Sequence, residues 1–194
     1  MRIISGELRG RRLRTPRWPG LRPTSDRLRE TLFAILGHGV TGATVLDGCA
    51  GTGAIGLEAI SRGAASVTFV ESDRRATALI RTNLEQCGVA SRGRIIHGAL
   101  PAALDRVEQP AAFDLVLLDP PYGFDDGAVS AILSALTRRT APGGLLVIER
   151  PRRREPLAME AEGNIALIHT RRIRAGDSAL DVYRRGAPDS ATDE

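Results

Sequence analysis

The sequence predicts an α/β protein: one mostly parallel sheet of seven strands, helices on both of its faces, and an antiparallel hairpin at its carboxyl-terminal end. From residue 44 onward, short apolar runs alternate with longer segments of helical periodicity, which is the pattern of consecutive β-α-β units. The last two apolar runs are separated only by residues 171–178, with Gly176 and Asp177 as a turn. So short a connection favours an antiparallel pair, because parallel strands need a longer crossover.

The first predicted element is a helix that precedes all of the strands. Pro23, Thr24, Ser25 and Asp26 include good N-cap residues, and apolar side chains then recur at helical spacing until Gly37 ends the run. We predict strands at 44–47, 66–71, 94–97, 113–119, 144–149, 165–170 and 179–184. We predict further helices at 53–62, 73–87, 100–107 and 126–139.

Composition excludes several classes of protein. The 194 residues are 42% hydrophobic and 26% charged, as in ordinary globular domains. No apolar run approaches the roughly 18 residues that span a bilayer, and MRIISG leads straight into arginines without a signal-peptide core. We therefore expect a cytoplasmic, monomeric protein with no membrane partner. Cys49, Cys87 and three scattered histidines form neither a disulfide framework nor a ligand set, so we expect no metal.

The positive charge lies at the front of the chain. All 27 basic residues are arginine, and nine of them fall within residues 1–30 beside only three acids, whereas the rest of the chain has 18 arginines and 20 acids. Codon usage in a GC-rich genome explains the lack of lysine but not the clustering, which predicts contact with a polyanion. We divide the chain into an arginine-rich arm (1–22), the α/β domain (23–185) and a flexible polar tail (186–194).

A glycine-rich loop follows the first predicted strand. Gly51, Gly53 and Gly56 form a G-x-G-x-x-G pattern between a strand and a helix. Two ligands fit it: a dinucleotide, whose pyrophosphate would lie at the helix N-terminus, and S-adenosylmethionine, which has no phosphate. Asp47 would repel a pyrophosphate but can accept hydrogen bonds from an α-ammonium group, directly or through water. Glu71 can accept both hydroxyls of a ribose. Alternatively, the glycines only permit a tight turn and Asp47 caps the helix.

A proline-rich turn follows the fourth predicted strand. Asp119, Pro120, Pro121 and Tyr122 place a carboxylate and a carbonyl beside an aromatic ring, and the two prolines contribute no N–H donor. This acceptor-only surface suits a planar base with an exocyclic amine, because its two N–H groups can be accepted while Tyr122 stacks on the ring. Such a site would activate the amine by positioning and electrostatics. The alternative is a turn without function.

These motifs together resemble the class I S-adenosylmethionine-dependent methyltransferases that modify exocyclic amines, with VLDGCAGTGAIGLEA as the cofactor loop, VTFVES as the ribose-binding strand and DPPY as the catalytic turn. The stretches RIISGELRGRRLRTP and RPTSDRLRETLFAIL are similar to the RsmD family of bacterial rRNA guanine-N2 methyltransferases, over about residues 1–184. The resemblance implies a Rossmann-like fold and methylation of guanine 966 at N2 in 16S rRNA. It also implies that the substrate is 16S rRNA or the small ribosomal subunit, held by the arginine-rich arm.

The resemblance also implies roles for individual residues. The catalytic residues would be Asp119, Pro120, Pro121 and Tyr122. The cofactor-binding residues would be Asp47, Ala50, Gly51, Gly53, Glu71, Ser72, Ala99, Leu100 and Asp119. The RNA-binding residues would be Arg9, Arg11, Arg12, Arg22, Thr24, Arg152 and Arg153. One departure is His97, where the family often has Asp or Asn, so we expect backbone groups to hold the adenine amine. Cys49 is interpreted as a packing residue, and Phe124 either extends the stacking surface or makes a loop contact.

Other functions remain open at this stage. An adenine-N6 methyltransferase acting on DNA or RNA is one, because the DPPY turn also occurs there. Glutamine methylation of a protein is disfavoured, because Asn usually stands at the position of Asp119 in that class. From other classes, the candidates are a non-catalytic RNA-binding assembly factor of the same fold and a dinucleotide-dependent oxidoreductase. Binding of S-adenosylmethionine and not of NAD would separate the methyltransferases from the oxidoreductase.

Overall fold

The computed structural model describes residues 1–16, 18–19, 24–108, 110, 112–161 and 165–186. Its helices are Asp26–Leu36 (α1), Ala54–Ser61 (α2), Arg74–Cys87 (α3) and Asp126–Arg139 (α4). Its strands are Thr44–Gly48 (β1), Ser66–Glu71 (β2), Gly93–His97 (β3), Phe113–Leu118 (β4), Thr140–Pro151 (β5), Leu167–Ala175 (β6) and Ser178–Arg185 (β7). Short 3₁₀ segments cover Gly37–Val40, Ala90–Arg92 and Ala102–Arg106. The predictions for Arg22, Pro23 and tail residues 187–194 lie outside the described residues.

The seven strands form one sheet in the order β3-β2-β1-β4-β5-β7-β6. The first five strands in this order are parallel, and β7 is antiparallel to both β5 and β6. The predicted fold class is therefore confirmed, including the carboxyl-terminal hairpin. The chain runs outward from β1 to β3 and then returns to the other side of β1 with β4. In such sheets ligands bind beside this reversal, outside the carboxyl ends of the strands.

Two apolar layers cover the two faces of the sheet. Along β4, Leu115 and Leu117 belong to one hydrophobic cluster, whereas Val116 and Leu118 belong to the other, because successive side chains of a strand point to opposite faces. The first cluster includes residues of α1, α2 and α3, and the second includes residues of α4 and the 3₁₀ segment Ala102–Arg106. No helix in the described part of the chain is long and apolar enough to cross a membrane.

Three predicted elements differ from the structure by more than one residue at an end. The strand predicted at 144–149 is Thr140–Pro151, which begins four residues earlier and ends two residues later. The helix predicted at 100–107 is only the 3₁₀ segment Ala102–Arg106, which ends because the backbone of Val107 is extended, with a ψ of 92°. The strand predicted at 165–170 is instead Leu167–Ala175, so Arg171, Arg172 and Arg174 belong to β6 and not to the turn. An edge strand tolerates charged side chains because one of its sides is free of a partner strand.

The arginine-rich front of the chain packs against the domain. Residues 1–16 fold back on themselves, with an antiparallel bridge between Arg2 and Arg12, and Ile3, Leu8 and Leu13 are buried in the core shared with α1 to α3. The buried carboxylate of Glu58 accepts backbone N–H groups of this segment, at 2.8 Å from Ile4 and 3.0 Å from Ser5. The backbone of the segment is thus fixed by the domain, and what the segment binds stays a prediction.

Candidate active site

A cavity of about 640 Å³ opens at the carboxyl ends of the central strands. Each of these strands ends in or beside an acid: Asp47 in β1, Glu71 in β2, Asp119 directly after β4 and Glu149 in β5. Its position beside the reversal of strand order and its size are those of ligand sites in this class of fold. Glu71, Asp119 and Glu149 line the cavity. In the described part of the chain, no three His, Cys, Asp or Glu side chains group as metal ligands.

The glycine loop after β1 forms one end of the cavity. Gly53 is the N-cap of α2 with a φ of 75°, in the left-handed region where a side chain is strained. A Cβ on Gly56 would lie 2.3 Å from Cε1 of Phe69, so only glycine lets α2 approach β2 this closely. Ala50 and Gly51 line the cavity, whereas Gly53 does not. Gly53 and Gly56 therefore shape the loop and do not form the wall.

Asp47 lies behind this loop and not on the cavity wall. It is only 1% exposed, and its Oδ2 accepts the N–H of Gly56 at 2.8 Å. Burial raises the pKa of Asp47 well above its usual value, and the Gly56 hydrogen bond offsets part of this effect. In the structure Asp47 thus satisfies a free N–H in the first turn of α2, as the capping interpretation expected. Its contact with a ligand, directly or through water, stays a prediction.

Backbone N–H groups fix the carboxylate of Glu71, the acid that we predict to bind the ribose. Its Oε2 accepts the N–H of Gly51 at 2.7 Å, and its Oε1 accepts the N–H of Asp73 at 2.8 Å. These two backbone donors fix the carboxylate on the cavity wall. The Ser72 hydroxyl also lies 3.4 Å from Oε1, so Oε2 is the oxygen that keeps a lone pair for a ribose hydroxyl. The predicted residues Ser72, Ala99 and Leu100 also line the cavity. His97 does not line it, and its Nε2 lies 3.0 Å from the Ser72 carbonyl oxygen.

This end of the cavity fits the nucleoside of S-adenosylmethionine. It combines a fixed carboxylate for the ribose with apolar surface from Val70 and Leu100 and with backbone groups of Gly98 and Ala99. Such a mixture of apolar walls and a few oriented polar groups is what a nucleoside requires. The backbone groups remain our predicted partners for the adenine amine, in place of the missing Asp or Asn.

Cys49 lies in the loop with a φ of 58°, an uncommon value for a residue other than glycine. Burial, and then the negative charges of Glu71, Asp119 and Asp47, raise the pKa of its thiol to about 12. A thiol with this pKa stays protonated at neutral pH, and only the thiolate is a good nucleophile. The structure therefore supports the interpretation of Cys49 as a packing residue.

The DPPY turn forms the other end of the cavity. The Thr24 hydroxyl donates a hydrogen bond of 2.5 Å to Oδ2 of Asp119. Burial, and then the nearby charge of Glu149, raise the pKa of Asp119 to about 7. Tyr122 and Phe124 are exposed aromatic side chains on the cavity wall. A base entering here would meet the Asp119 carboxylate beside two aromatic rings.

Glu149 and Ser178 belong to the site although the sequence analysis did not include them. The Tyr122 hydroxyl donates a hydrogen bond of 2.7 Å to Oε1 of Glu149 and lies 2.9 Å from Oγ of Ser178. Glu149 had a signal in the sequence, since LLVIE ends in an acid as the strands before Gly48 and Ser72 do. Ser178 had none, because only the antiparallel pairing of Pro151 with Ser178 brings it to the cavity.

The predicted RNA-binding residues lie in three places. Arg9, Arg11 and Arg12 are exposed on the N-terminal segment. Arg152 and Arg153 are exposed after β5. Their neighbours Arg150 and Arg154 instead form ion pairs with Asp126. Thr24 lies inside the cavity and contacts Asp119, so the structure gives it a role at the DPPY turn that the sequence did not indicate. Arg22 lies outside the described residues.

The fold, the glycine loop and the DPPY turn define a class I S-adenosylmethionine-dependent methyltransferase. The rRNA methyltransferase aviRa from Streptomyces viridochromogenes has this fold, with a TM-score of 0.66 at 20% identity over 86% of this chain and 87% of that one. The structure of the Escherichia coli protein yhhF superposes with a TM-score of 0.77 at 35% identity, over 96% of this chain and 98% of that one.

A Haemophilus influenzae protein named ribosomal RNA small subunit methyltransferase D is 37% identical over 153 residues, which are 77% of this chain and 78% of that protein. The family described as Conserved hypothetical protein 95 matches residues 1–184. The chain belongs to this family, the RsmD family of methyltransferases, and S-adenosylmethionine is its methyl donor.

Proposed function

We propose that the protein methylates the exocyclic N2 amine of a guanine in 16S rRNA, the guanine at position 966. The name of the Haemophilus influenzae relative supports ribosomal RNA as the substrate. The DPPY turn is the main support for an amine as the methyl acceptor. It presents the Asp119 carboxylate and a proline-rich backbone beside the half-exposed ring of Tyr122. A surface of acceptors beside an aromatic ring selects a planar base that offers N–H donors.

The chain contributes orientation and electrostatics to the reaction. When bound, S-adenosylmethionine supplies a methyl group activated by a positively charged sulfur. The amine of guanine is a weak nucleophile, because its lone pair is conjugated with the ring. Asp119 and the Pro120 carbonyl would accept its two N–H bonds, and the hydrogen bond from Thr24 holds Asp119 in place. Hydrogen-bond acceptors that are oriented before the reaction stabilise the positive charge that develops on the nitrogen during methyl transfer.

We propose that exposed arginines hold the RNA substrate. Arg9, Arg11 and Arg12 lie on a segment whose backbone is tied to α2 and α3, so phosphate contacts would be presented from a fixed surface. Arg152 and Arg153 follow β5 at the rim of the active site. We further propose that the active unit is a monomer and that it works on rRNA in the cytoplasm.

The test is methyl transfer to 16S rRNA and to small subunits purified from cells that lack the gene. We expect label from S-adenosylmethionine in one guanine, recovered as N2-methylguanosine after nuclease digestion and mass analysis. Label in N6-methyladenosine would support the adenine alternative. Micromolar cofactor binding without any transfer would support the assembly-factor alternative, and equal activity of Asp119→Ala and wild type would refute the assigned site.

A further inference from the structure

Glu149 is a buried acid at the target end of the cavity that the proposed transfer does not yet use. Its side chain is 5% exposed, and Oε1 accepts the hydroxyl of Tyr122. Its Oε2 is buried and has no hydrogen-bond donor among the described residues. A buried carboxylate oxygen without a donor costs folding free energy. This oxygen can therefore accept a hydrogen bond from a donor that enters the cavity.

The group that faces Glu149 in the cavity is another acid. The carboxyl groups of Glu149 and Asp119 are close enough for a direct hydrogen bond and a strong charge interaction. Two carboxyl groups can form that bond only when one of them is protonated, because an ionised carboxylate has no proton to donate. The surrounding titratable groups are Asp47, Cys49 and Glu71 from the loop side and Tyr122 from the turn. Arg75 also lines the cavity, but it pairs with Asp73 at 2.8 Å.

The proposed reaction releases one proton at this place. The lone pair of the amine nitrogen forms the new bond to the methyl carbon, while the carbon–sulfur bond breaks and its electron pair stays on sulfur. The nitrogen then carries a positive charge until it loses one of its protons. Asp119, which would already accept a hydrogen bond from that amine, is the base in reach.

We propose that Asp119 and Glu149 form a two-carboxylate proton acceptor, in which Asp119 takes the proton released by the methylated amine and Glu149 shares it through Oε2. Asp119 is then the catalytic residue and Glu149 a positioning residue that acts through it. The shared proton gives the buried Oε2 the donor that it otherwise lacks, and it later leaves to water. The inference rests on the proposed function in requiring an amine as the target.

The pH dependence of the reaction follows from the direction of the pKa shift. Burial and the charge of Glu149 raise the pKa of Asp119 to about 7, and the Thr24 hydrogen bond lowers it. The pair accepts a proton only when it is fully ionised, so kcat/KM should rise as pH increases through about 7. Glu149→Gln removes one negative charge and brings an amide donor to Asp119. The pKa of Asp119 should therefore fall, and the acidic limb of the profile should move to lower pH.

The experiment compares pH profiles of kcat/KM on small subunits from cells that lack the gene, from about pH 5 to about pH 9. For Glu149→Gln we expect the limb to shift by about one pH unit and the plateau to fall about tenfold, because a weaker base remains. Ser178→Ala is the matched control. It removes the other contact of the Tyr122 hydroxyl but no charge, and its limb should coincide with that of wild type.

A purely structural role for Glu149 gives a different result. If Glu149 only holds the ring of Tyr122, then Glu149→Gln and Tyr122→Phe should lower the plateau alike and leave the limb where it is, which would overturn the inference. Carbon-13 NMR of the carboxyl groups of the cofactor-bound wild-type protein needs no variant. We expect the Asp119 signal to titrate with a pKa of about 7, and titration of Asp119 near its usual value would also overturn the inference. A complete lack of guanine methylation by wild type would instead refute the proposed function.

Discussion

The two ends of the cavity are built in different ways. The cofactor end consists of one contiguous loop, the acid Glu71 and the short segment 98–100, and its contacts are mostly backbone N–H groups and glycines. The target end consists of side chains from separate parts of the chain that hydrogen-bond one another: Thr24 to Asp119, and Tyr122 to Glu149 and Ser178. The first end depends on backbone geometry, and the second depends on charge and on the folding together of distant segments.

Because of this difference, the two ends of the cavity should tolerate different substitutions. A backbone-built nucleoside site keeps its shape when most surface side chains change, but it needs glycine where a Cβ would collide, as at Gly56. The target end instead concentrates acids in a buried place, where each lost hydrogen bond or charge alters its neighbours. Variants should therefore separate into those that change cofactor affinity and those that change the rate of transfer.

The largest effect is expected at the target end. Asp119→Ala removes the acceptor that orients the amine and takes its proton, and we expect kcat to fall about a thousandfold. The affinity for S-adenosylmethionine, measured by calorimetry, should stay within about threefold of wild type, because Glu71 and the loop are unchanged. A comparable loss of cofactor affinity would show that the two ends are not separable in the way proposed here.

The complementary change is Glu71→Gln at the cofactor end. The amide nitrogen would face the N–H of Gly51 or Asp73 and one charged acceptor for the ribose would be lost, so we expect cofactor affinity to fall about thirtyfold. At saturating cofactor, kcat should change little. Calorimetry and single-turnover rates on the same preparation check both statements, with circular dichroism to confirm folding. An unchanged affinity would contradict the ribose assignment.

The exposed arginines lie outside both ends and provide a third class of variant. Replacing Arg9, Arg11 and Arg12 together with Gln should weaken binding to 16S rRNA about tenfold at moderate salt and reduce the slope of log affinity against log salt by about two. Cofactor affinity should stay the same. A matched control is the triple replacement of Arg81, Arg138 and Arg174, which are exposed elsewhere on the domain. A loss of cofactor binding with the first triple variant would show that the N-terminal segment has a structural role instead.

The smallest effect is expected at Thr24. Thr24→Val removes the hydrogen bond that lowers the pKa of Asp119, so the acidic limb of the pH profile should move to higher pH and the rate at neutral pH should fall about fivefold. Thr24→Ser keeps the hydroxyl and should restore the limb. The direction is opposite to that expected for Glu149→Gln, and a shift in the same direction for both variants would contradict the assigned network.

Much of the fold could be predicted from periodicity. Helix α4 has the predicted bounds, and strands β1 to β4 differ from their predicted ranges by at most one residue. These elements could be predicted because apolar runs and helical periodicity are properties of neighbouring residues. The errors fell where local signals are weak. Arg171, Arg172 and Arg174 suggested a turn, yet an edge strand accommodates them. Pairing of Arg172 with Asp181 across the hairpin, at 3.7 Å, depends on a partner that the local sequence does not reveal.

The N-terminal segment is a second region whose packing could not be predicted from the local sequence. Its arginines predicted a polyanion contact. Ile3, Leu8 and Leu13 are also buried in the core, but this could be seen only in the folded domain, because they pack on helices that are distant in sequence. The buried carboxylate of Glu58 then holds the backbone at Ile4 and Ser5. Charge patterning alone indicated this segment as a candidate for RNA contact, whereas only packing showed that its backbone is fixed by the domain.

The fold class, the glycine loop, the acid at the end of β2 and the DPPY turn could all be found in the amino-acid sequence, because each is encoded by neighbouring residues whose backbone requirements are local. Only the tertiary structure decided that Asp47 lies behind the loop, that Thr24 reaches Asp119, and that Glu149 and Ser178 join Tyr122. The physical reason is that hydrogen bonds between distant side chains, and the pKa shifts that burial imposes on them, exist only once the strands have been brought side by side.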